Sequence, residues 1–429
     1  VEEDAGIDTG SGGDGGFGAF GGRGGLGGGA GSSGGFAGSG AIGGGGGTGG
    51  ILGCNGLIQI QPSVTVAHPD NEFDSHPALT HAIADGQDVS VVFARSPVES
   101  PSAFVSLRHA SFSPWQSWPP GGLDSTYGTF AAATLSTEFR VASAGMYEFA
   151  LAVAHPNIVS LAPKVAAFSE NPGPTVTLSG AATPVFLREQ AEYLHLAGTL
   201  SSTNELQAHV VNSASGFGSM TTIGCASTQV FGGAVRHEDG WLVAYSNGQN
   251  APATGFCASS VGAGPPSRID IIYLSPSLET EYRLGLVLAT PVIGLSVARH
   301  PNGIYVVWRE ASGGIVSPIR WVRYDATLAG FIGPGDVSTP TDFPLEFTAT
   351  ALGDRLVVAY GTDPAGNPPD IVLRVLDPSG AEVASTAFEP QFSGRLALLA
   401  SPNFDSLLLA YRGGGAVTPI ELTRFDCIP

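Results

Sequence analysis

The sequence predicts an all-β chain: a seven-bladed β-propeller of four-stranded antiparallel blades, preceded by a Gly-rich low-complexity tail. Three observations predict it. Short alternating apolar runs recur with almost no helical periodicity, one strand pattern returns about every fifty residues, and cysteines lie close to both ends of the segment that carries the pattern.

Composition divides the chain first. Of 62 glycines in 429 residues, 26 fall in the first fifty positions, where there is no proline; all 31 prolines and all four cysteines come later. Residues 1–53 are therefore expected to form a tail or tether, and residues 54–429 the propeller. From Gly12 the tail runs in triplets, as in Gly-Gly-Asp14, Gly-Gly-Phe17, Gly-Ala-Phe20, Gly-Gly-Arg23 and Gly-Gly-Leu26. It has the period of collagen without the proline. Backbone entropy exceeds what so few side chains offset, which favours a flexible tether. Phe17, Phe20, Leu26 and Phe36 keep a second reading open, in which extended glycine triplets pack together and the tail self-associates.

The repeating strand ends in small and aromatic residues: Leu242-Val-Ala-Tyr245, Tyr305-Val-Val-Trp308, Leu356-Val-Val-Ala-Tyr360 and Leu407-Leu-Leu-Ala-Tyr411. Successive aromatics lie 63, 52 and 51 residues apart. Weaker versions stand at Val89–Phe93, Phe149–Ala152 and Tyr193–Ala197, which brings the units to seven. A turn precedes the marked strand, as in His300-Pro-Asn-Gly303, Leu352-Gly-Asp354 and Ser401-Pro-Asn-Phe-Asp405. After it come a polar loop and a third strand, such as Ile319–Tyr324, Ile371–Leu376 or Ile420–Phe425. None of these strands can bury a face alone, so stacking sheets around an axis supplies the core.

A propeller must join its first and last blades. Leu57–Ile60 is read as the outer strand of the seventh blade, with Cys54 and Cys427 bridged across the seam and Cys225 paired with Cys257. Four cysteines allow three connectivities, and this one is chosen on topology. Such bridges require an oxidising compartment, which predicts a secreted, periplasmic or outer-surface protein.

With 18 basic against 37 acidic residues the formal charge is −19, which argues against a nucleic-acid partner. No apolar run reaches the roughly 18 residues of a transmembrane helix. The chain opens at Val1 without a basic or apolar leader and reads as a mature or trimmed product; an acidic Gly-rich tether is what a lipoprotein with a lipid anchor upstream of Val1 would need.

Candidate chemistry is sparse. His68, His155 and His300 each precede Pro in His-Pro-Asp or His-Pro-Asn, which is turn chemistry in which the Asp or Asn side chain bonds its own backbone. Arg95, Arg309 and Arg412 follow the marked strand on one rim, where a positive patch would suit a carboxylate, a sulfate or an acidic sugar. The alternative is pairing with neighbouring acids, such as Arg309 with Glu310. Trp115 and Trp118, in Ser-Pro-Trp-Gln-Ser-Trp-Pro-Pro, offer flat platforms for a sugar or peptide, or else plugs for a blade interface. Gly-x-Ser-x-Gly, His-Glu-x-x-His and phosphate loops are absent, and no two cysteines have zinc spacing, so no catalytic residue, metal or cofactor is assigned.

The segments Ser-Pro-Asn-Phe-Asp-Ser-Leu-Leu-Leu-Ala-Tyr411 and His-Pro-Asn-Gly-Ile-Tyr-Val-Val-Trp308 resemble the blade motif of TolB-type and related WD-repeat-like propellers, which carry a Ser-Pro-Asp-Gly turn before a strand. The resemblance covers the last four units, with Asn in place of Asp. It implies a platform for binding proteins or ligands and carries over no catalytic residue; the Ser-x-Asp-x-Gly-x-x-Trp boxes of sialidases are missing. The expected function is an exported binding or surface structural module whose rim takes a protein or glycan partner. The alternatives are a carbohydrate-active hydrolase or lyase with an axial site, and a tail-mediated component of a filament or matrix.

Overall fold

The computed structural model describes residues 54–66, 72–81, 89–97, 105–120, 126–133, 138–143, 148–154, 164–167, 176–177, 185–189, 192–198, 205–212, 216–225, 232–248, 267–311, 317–339, 342, 344–362, 370–388, 396–414 and 418–428. The chain divides between residues 50 and 51, and every described residue belongs to the unit 51–429.

The described body is built from strands alone. Strand β1 (Gly56–Thr65) stands apart in sequence from the blade it completes. Blade 1 is β2 (Glu72–His81), β3 (Val89–Pro97), β4 (Val105–Phe112) and β5 (Thr126–Ala133). Blade 2 is β6 (Glu138–Ser143), β7 (Glu148–Ala154), β8 (Lys164–Ala167) and β9 (Val176–Thr177). Blade 3 follows with β10 (Val185–Glu189), β11 (Glu192–Gly198), β12 (Glu205–Asn212) and β13 (Gly216–Cys225). Blade 4 has β14 (Gly232–His237), β15 (Gly240–Asn247), β16 (Arg268–Leu274) and β17 (Thr280–Val287). Blade 5 has β18 (Val292–His300), β19 (Gly303–Glu310), β20 (Ile319–Asp325) and β21 (Phe331–Asp336). Blade 6 has β22 (Pro344–Leu352), β23 (Arg355–Thr362), β24 (Ile371–Leu376) and β25 (Glu382–Phe388). Blade 7 has β26 (Leu396–Ala400), β27 (Ser406–Arg412) and β28 (Ile420–Ile428), with β1 as its fourth strand.

All seven sheets are four-stranded and antiparallel, in sequential order except for β1-β28-β27-β26. Their first strands touch in the cycle β2, β6, β10, β14, β18, β22, β26 and back to β2, so the sheets stand around an axis. This is the propeller that the repeat predicts, and every marked segment is the second strand of its blade.

The burial gradient explains why the second strand carries the signal. Gly240–Asn247 is buried at every position because neighbouring blades cover both faces of its sheet, and Arg355–Thr362 is buried at all but its first. Such a strand reads as a continuous apolar run. The outer strands Phe331–Asp336 and Glu382–Phe388 alternate between half-buried and exposed, and little in their sequence sets them apart.

The core is a set of layers between blades. Blades 7 and 1 share Leu408, Ala410 and Leu422 with Val89, Val91 and Phe93; blades 5 and 6 share Tyr305, Val307 and Trp321 with Leu356, Val358 and Tyr360. Where the first strands of blades 4 and 5 meet, glycine makes room for a larger neighbour. A Cβ on Gly233 of blade 4 would lie 2.4 Å from Val297 of blade 5.

β1 closes the ring. It pairs with β28 from Gly56 opposite Ile428 to Thr65 opposite Glu421, with a bulge between Ile60 and Val64. Cys54 and Cys427 form a disulfide with Cα atoms 5.3 Å apart, as topology predicts. The second expected bridge lies outside the described residues: Cys225 ends β13, but its side chain and all of Cys257 are not described.

Candidate functional site

Strand alternation gives the ring two unlike faces. On one, the first and second strands of blades 4, 5 and 6 are joined by two-residue turns: Glu238-Asp239, Pro301-Asn302 and Gly353-Asp354. On the other, second strands run into longer connections, of which 248–267 in blade 4 is the longest. The three candidate arginines stand at the roots of these longer connections.

Arg412 ends β27 half-buried, and its Nε donates to Thr418 Oγ1 at 3.0 Å. Thr418 is tied to blade 1, since its carbonyl accepts the Asp74 N–H at 2.8 Å. Asp74 is fully buried on β2 and attracts the Arg412 guanidinium across the seam. Burial pulls Arg412 below its ordinary value and Asp74 opposes that pull. Arg309 ends β19 in the corresponding way: Nη1 donates to the carbonyl of Pro344 at the start of blade 6. Burial lowers it too, against attraction from Glu346. Each arginine is therefore attracted by an acid on the first strand of the next blade. Arg95 sits opposite Asp74 on β3, and its side chain is not described.

Among the described residues no ion pair joins Arg309 to Glu310, the pairing that the sequence offers as an alternative. Consecutive strand residues face opposite sides of the sheet, and Glu310 turns instead to Trp308 Nε1 at 3.2 Å, Thr290 Oγ1 at 3.0 Å and Arg320 at 3.0 Å. This belongs to a broader pattern that the sequence shows only as an aromatic repeat. Each marked aromatic in the last four blades buries its ring and spends its polar atom near the longer-connection face. Tyr245 OH donates to the Ile223 carbonyl at 2.7 Å, Tyr360 OH to Asp342 at 2.9 Å and Tyr411 OH to Glu421 at 2.7 Å. Burial raises the pKa of all three phenols, so they remain donors.

Charged groups stand beside two of these phenols, Tyr245 and Tyr360. In blade 4, Asp270 is 1% exposed and accepts two bonds from Arg268, at 2.7 and 2.9 Å, and one from Asn247 at 2.8 Å. In blade 6, Arg374 donates to Tyr360 OH at 2.8 Å and to Glu382 at 2.6 Å, and lies 3.2 Å from Asp342. Neither group stands out in the sequence, because its members come from different strands and connections. The acids that attract Arg309 and Arg412, Glu346 and Asp74, belong to separate seams.

Trp115 and Trp118 lie on the opposite, tight-turn face, between β4 and β5. Both pack against the core shared by blades 7 and 1, and Trp118 Nε1 donates to the Pro62 carbonyl of β1 at 2.8 Å. Arg424 of β28 reaches the Pro114 carbonyl at 2.8 Å. The rings are half-buried, and their loop bears on the closing seam. His68 and His155 fall outside the described residues. Among the described residues no group of His, Cys, Asp and Glu side chains is arranged to hold a metal ion, and no helix is long and apolar enough to cross a membrane.

No protein-family model and no curated protein matches the chain. Similar solved structures include a protein of unknown function from Dyadobacter fermentans DSM 18053, at 11% identity and a TM-score of 0.48, covering 87% of this chain and 99% of that one. A neuraminidase-like protein of A/little yellow-shouldered bat/Guatemala aligns at 10% identity and a TM-score of 0.44, over 87% and 99% of the two chains. An arginine-to-alanine mutant of AofleA from Arthrobotrys oligospora aligns at 12% identity and a TM-score of 0.44, over 77% and 94%. The architecture itself is read from the sheet order and the ring of first strands.

Proposed function

We propose that the chain is an exported binding or surface structural module that engages a protein or an acidic glycan through the face bearing the longer connections. The inequality of the two faces carries this reading. The connection over 248–267 and two arginines at strand ends, Arg309 and Arg412, share one face, while on the other the first and second strands of blades 4, 5 and 6 meet in two-residue turns. Loops on a rigid scaffold are where binding residues concentrate. The turns that resemble those of TolB-type propellers support a binding platform, and the Cys54–Cys427 disulfide supports an oxidising, extracytoplasmic location. On this reading Arg95 joins Arg309 and Arg412 in receiving a carboxylate or sulfate, the Cys225–Cys257 bridge fastens the base of the longest connection, and residues 1–53 are the tether to a surface or lipid anchor. The described body begins at Cys54 on the tight-turn side, opposite the proposed binding face.

The test is calorimetric titration of the full chain with sulfated and uronate oligosaccharides against neutral ones. Saturable binding weakened by about tenfold in Arg309→Gln/Arg412→Gln, with the melting transition retained, is expected. Binding that survives this change and is lost in Trp115→Ala/Trp118→Ala would move the site to the opposite face. Cleavage of the oligosaccharide in the same mixture would replace the binding reading with the carbohydrate-active one.

A further inference from the structure

We infer that His300 makes the seam between blades 5 and 6 sensitive to pH: a neutral imidazole holds the turn from His300 to Gly303 closed, and protonation releases it. His300 ends β18 and is 8% exposed. The sequence assigns the turn to the Asn side chain, but here the imidazole holds it, with Nδ1 accepting the Asn302 N–H at 3.1 Å. That nitrogen must be unprotonated to accept. Nε2 lies 3.3 Å from Arg323 Nη1, and the ring meets Tyr305 edge-on with centroids 5.3 Å apart. Tyr305 OH in turn donates to the Asp354 carbonyl of blade 6 at 2.6 Å. Imidazole, phenol and the neighbouring blade's turn are thus stacked in series.

Protonation puts a hydrogen on both ring nitrogens. One then faces the Asn302 N–H, and the new charge stands beside a guanidinium. The groups facing the ring are Arg323 from β20, Tyr305 from β19 and Asp354 from the turn between β22 and β23. Only Asp354 favours the imidazolium, and its carboxylate is 46% exposed and 3.7 Å from Arg355. Burial first, then Arg323, holds His300 below the ordinary histidine value. The folded state therefore prefers the neutral ring: this stabilisation is complete above the ordinary histidine range and is lost as pH falls through the lowered value. Blade 7 contains a counterpart that does not titrate. Ser401 occupies the same place before Pro-Asn, and its Oγ accepts the N–H groups of Asp405 and Ser406, both at 3.1 Å.

Amide exchange of the full chain, corrected for the intrinsic rate, tests this. Protection of the Asn302 amide is expected to fall about tenfold between about pH 7.5 and about pH 5 in the wild type. It should stay constant in His300→Ser, and the midpoint should move to higher pH in Arg323→Gln, where a like charge is removed. An equal fall in His300→Ser, no fall in the wild type, or an unmoved midpoint in Arg323→Gln would each overturn the inference.

Discussion

Cys54 and Cys427 are bonded across 373 positions of sequence, at the place where each of the other six blades connects its third strand to its outer one. A covalent bond here substitutes for chain continuity. The β1–β28 ladder spans the same seam from Gly56 to Thr65, so the ring has a second fastening. Reduction, or Cys54→Ser/Cys427→Ser, is expected to lower unfolding free energy by roughly 2–5 kcal/mol while leaving the strand content intact. Urea titration followed by circular dichroism, with and without reductant, measures both. Loss of the β signal in reductant alone would show that the ladder cannot hold the seam.

Tyr411→Phe removes the donor that faces Glu421 at 2.7 Å in a residue 1% exposed. The carboxylate loses that partner while the ring still fills its place. A cost of about 1–3 kcal/mol is expected in the same titration. A change within measurement error would mean that solvent replaces the bond.

Gly380 sits in the blade 6 turn after β24 at φ +89°, and a Cβ there would fall 1.9 Å from Trp321 of blade 5. Gly380→Ala is expected to cost about 2–4 kcal/mol, through backbone strain and displacement of the indole. Gly285→Ala, on an exposed position of β17 with its nearest contact at 3.3 Å, serves as the control and should cost less than about 1 kcal/mol. Comparable losses in both would remove the special role of the Gly380–Trp321 contact.

Trp118→Phe keeps an aromatic ring but removes the Nε1 donor to the Pro62 carbonyl. If the Trp loop seals the seam between blades 7 and 1, stability should fall by about 0.5–1.5 kcal/mol with glycan binding unchanged. Lost binding with unchanged stability would assign the ring to a ligand instead.

The fold was legible in the sequence where burial is uniform. Leu242–Tyr245, Tyr305–Trp308, Leu356–Tyr360 and Leu407–Tyr411 are enclosed on both faces of their sheets, and that enclosure leaves a continuous apolar signature. Closure was legible because Cys54 and Leu57 must return to the end of the chain to find a partner. What each polar group touches was not legible. Arg309 of blade 5 reaches Pro344 of blade 6 and the Asp74 N–H of blade 1 reaches Thr418 of blade 7, and contacts between blades have no fixed spacing. The partners of Glu310, namely Thr290, Trp308 and Arg320, were not legible either, because adjacent residues on a strand are neighbours in sequence but lie on opposite faces. In the His300 turn an aromatic ring does the work expected of an amide, a substitution that turn statistics do not reveal.

Peptide mapping of the full chain by mass spectrometry without reduction tests the closed ring most directly. A linked fragment that contains Cys54 and Cys427 is the result expected from β1 completing the last blade. Cys54 recovered in a link to Cys225 or Cys257, or as an alkylated free thiol, would place the N-terminal strand elsewhere and contradict the closure on which the two faces depend.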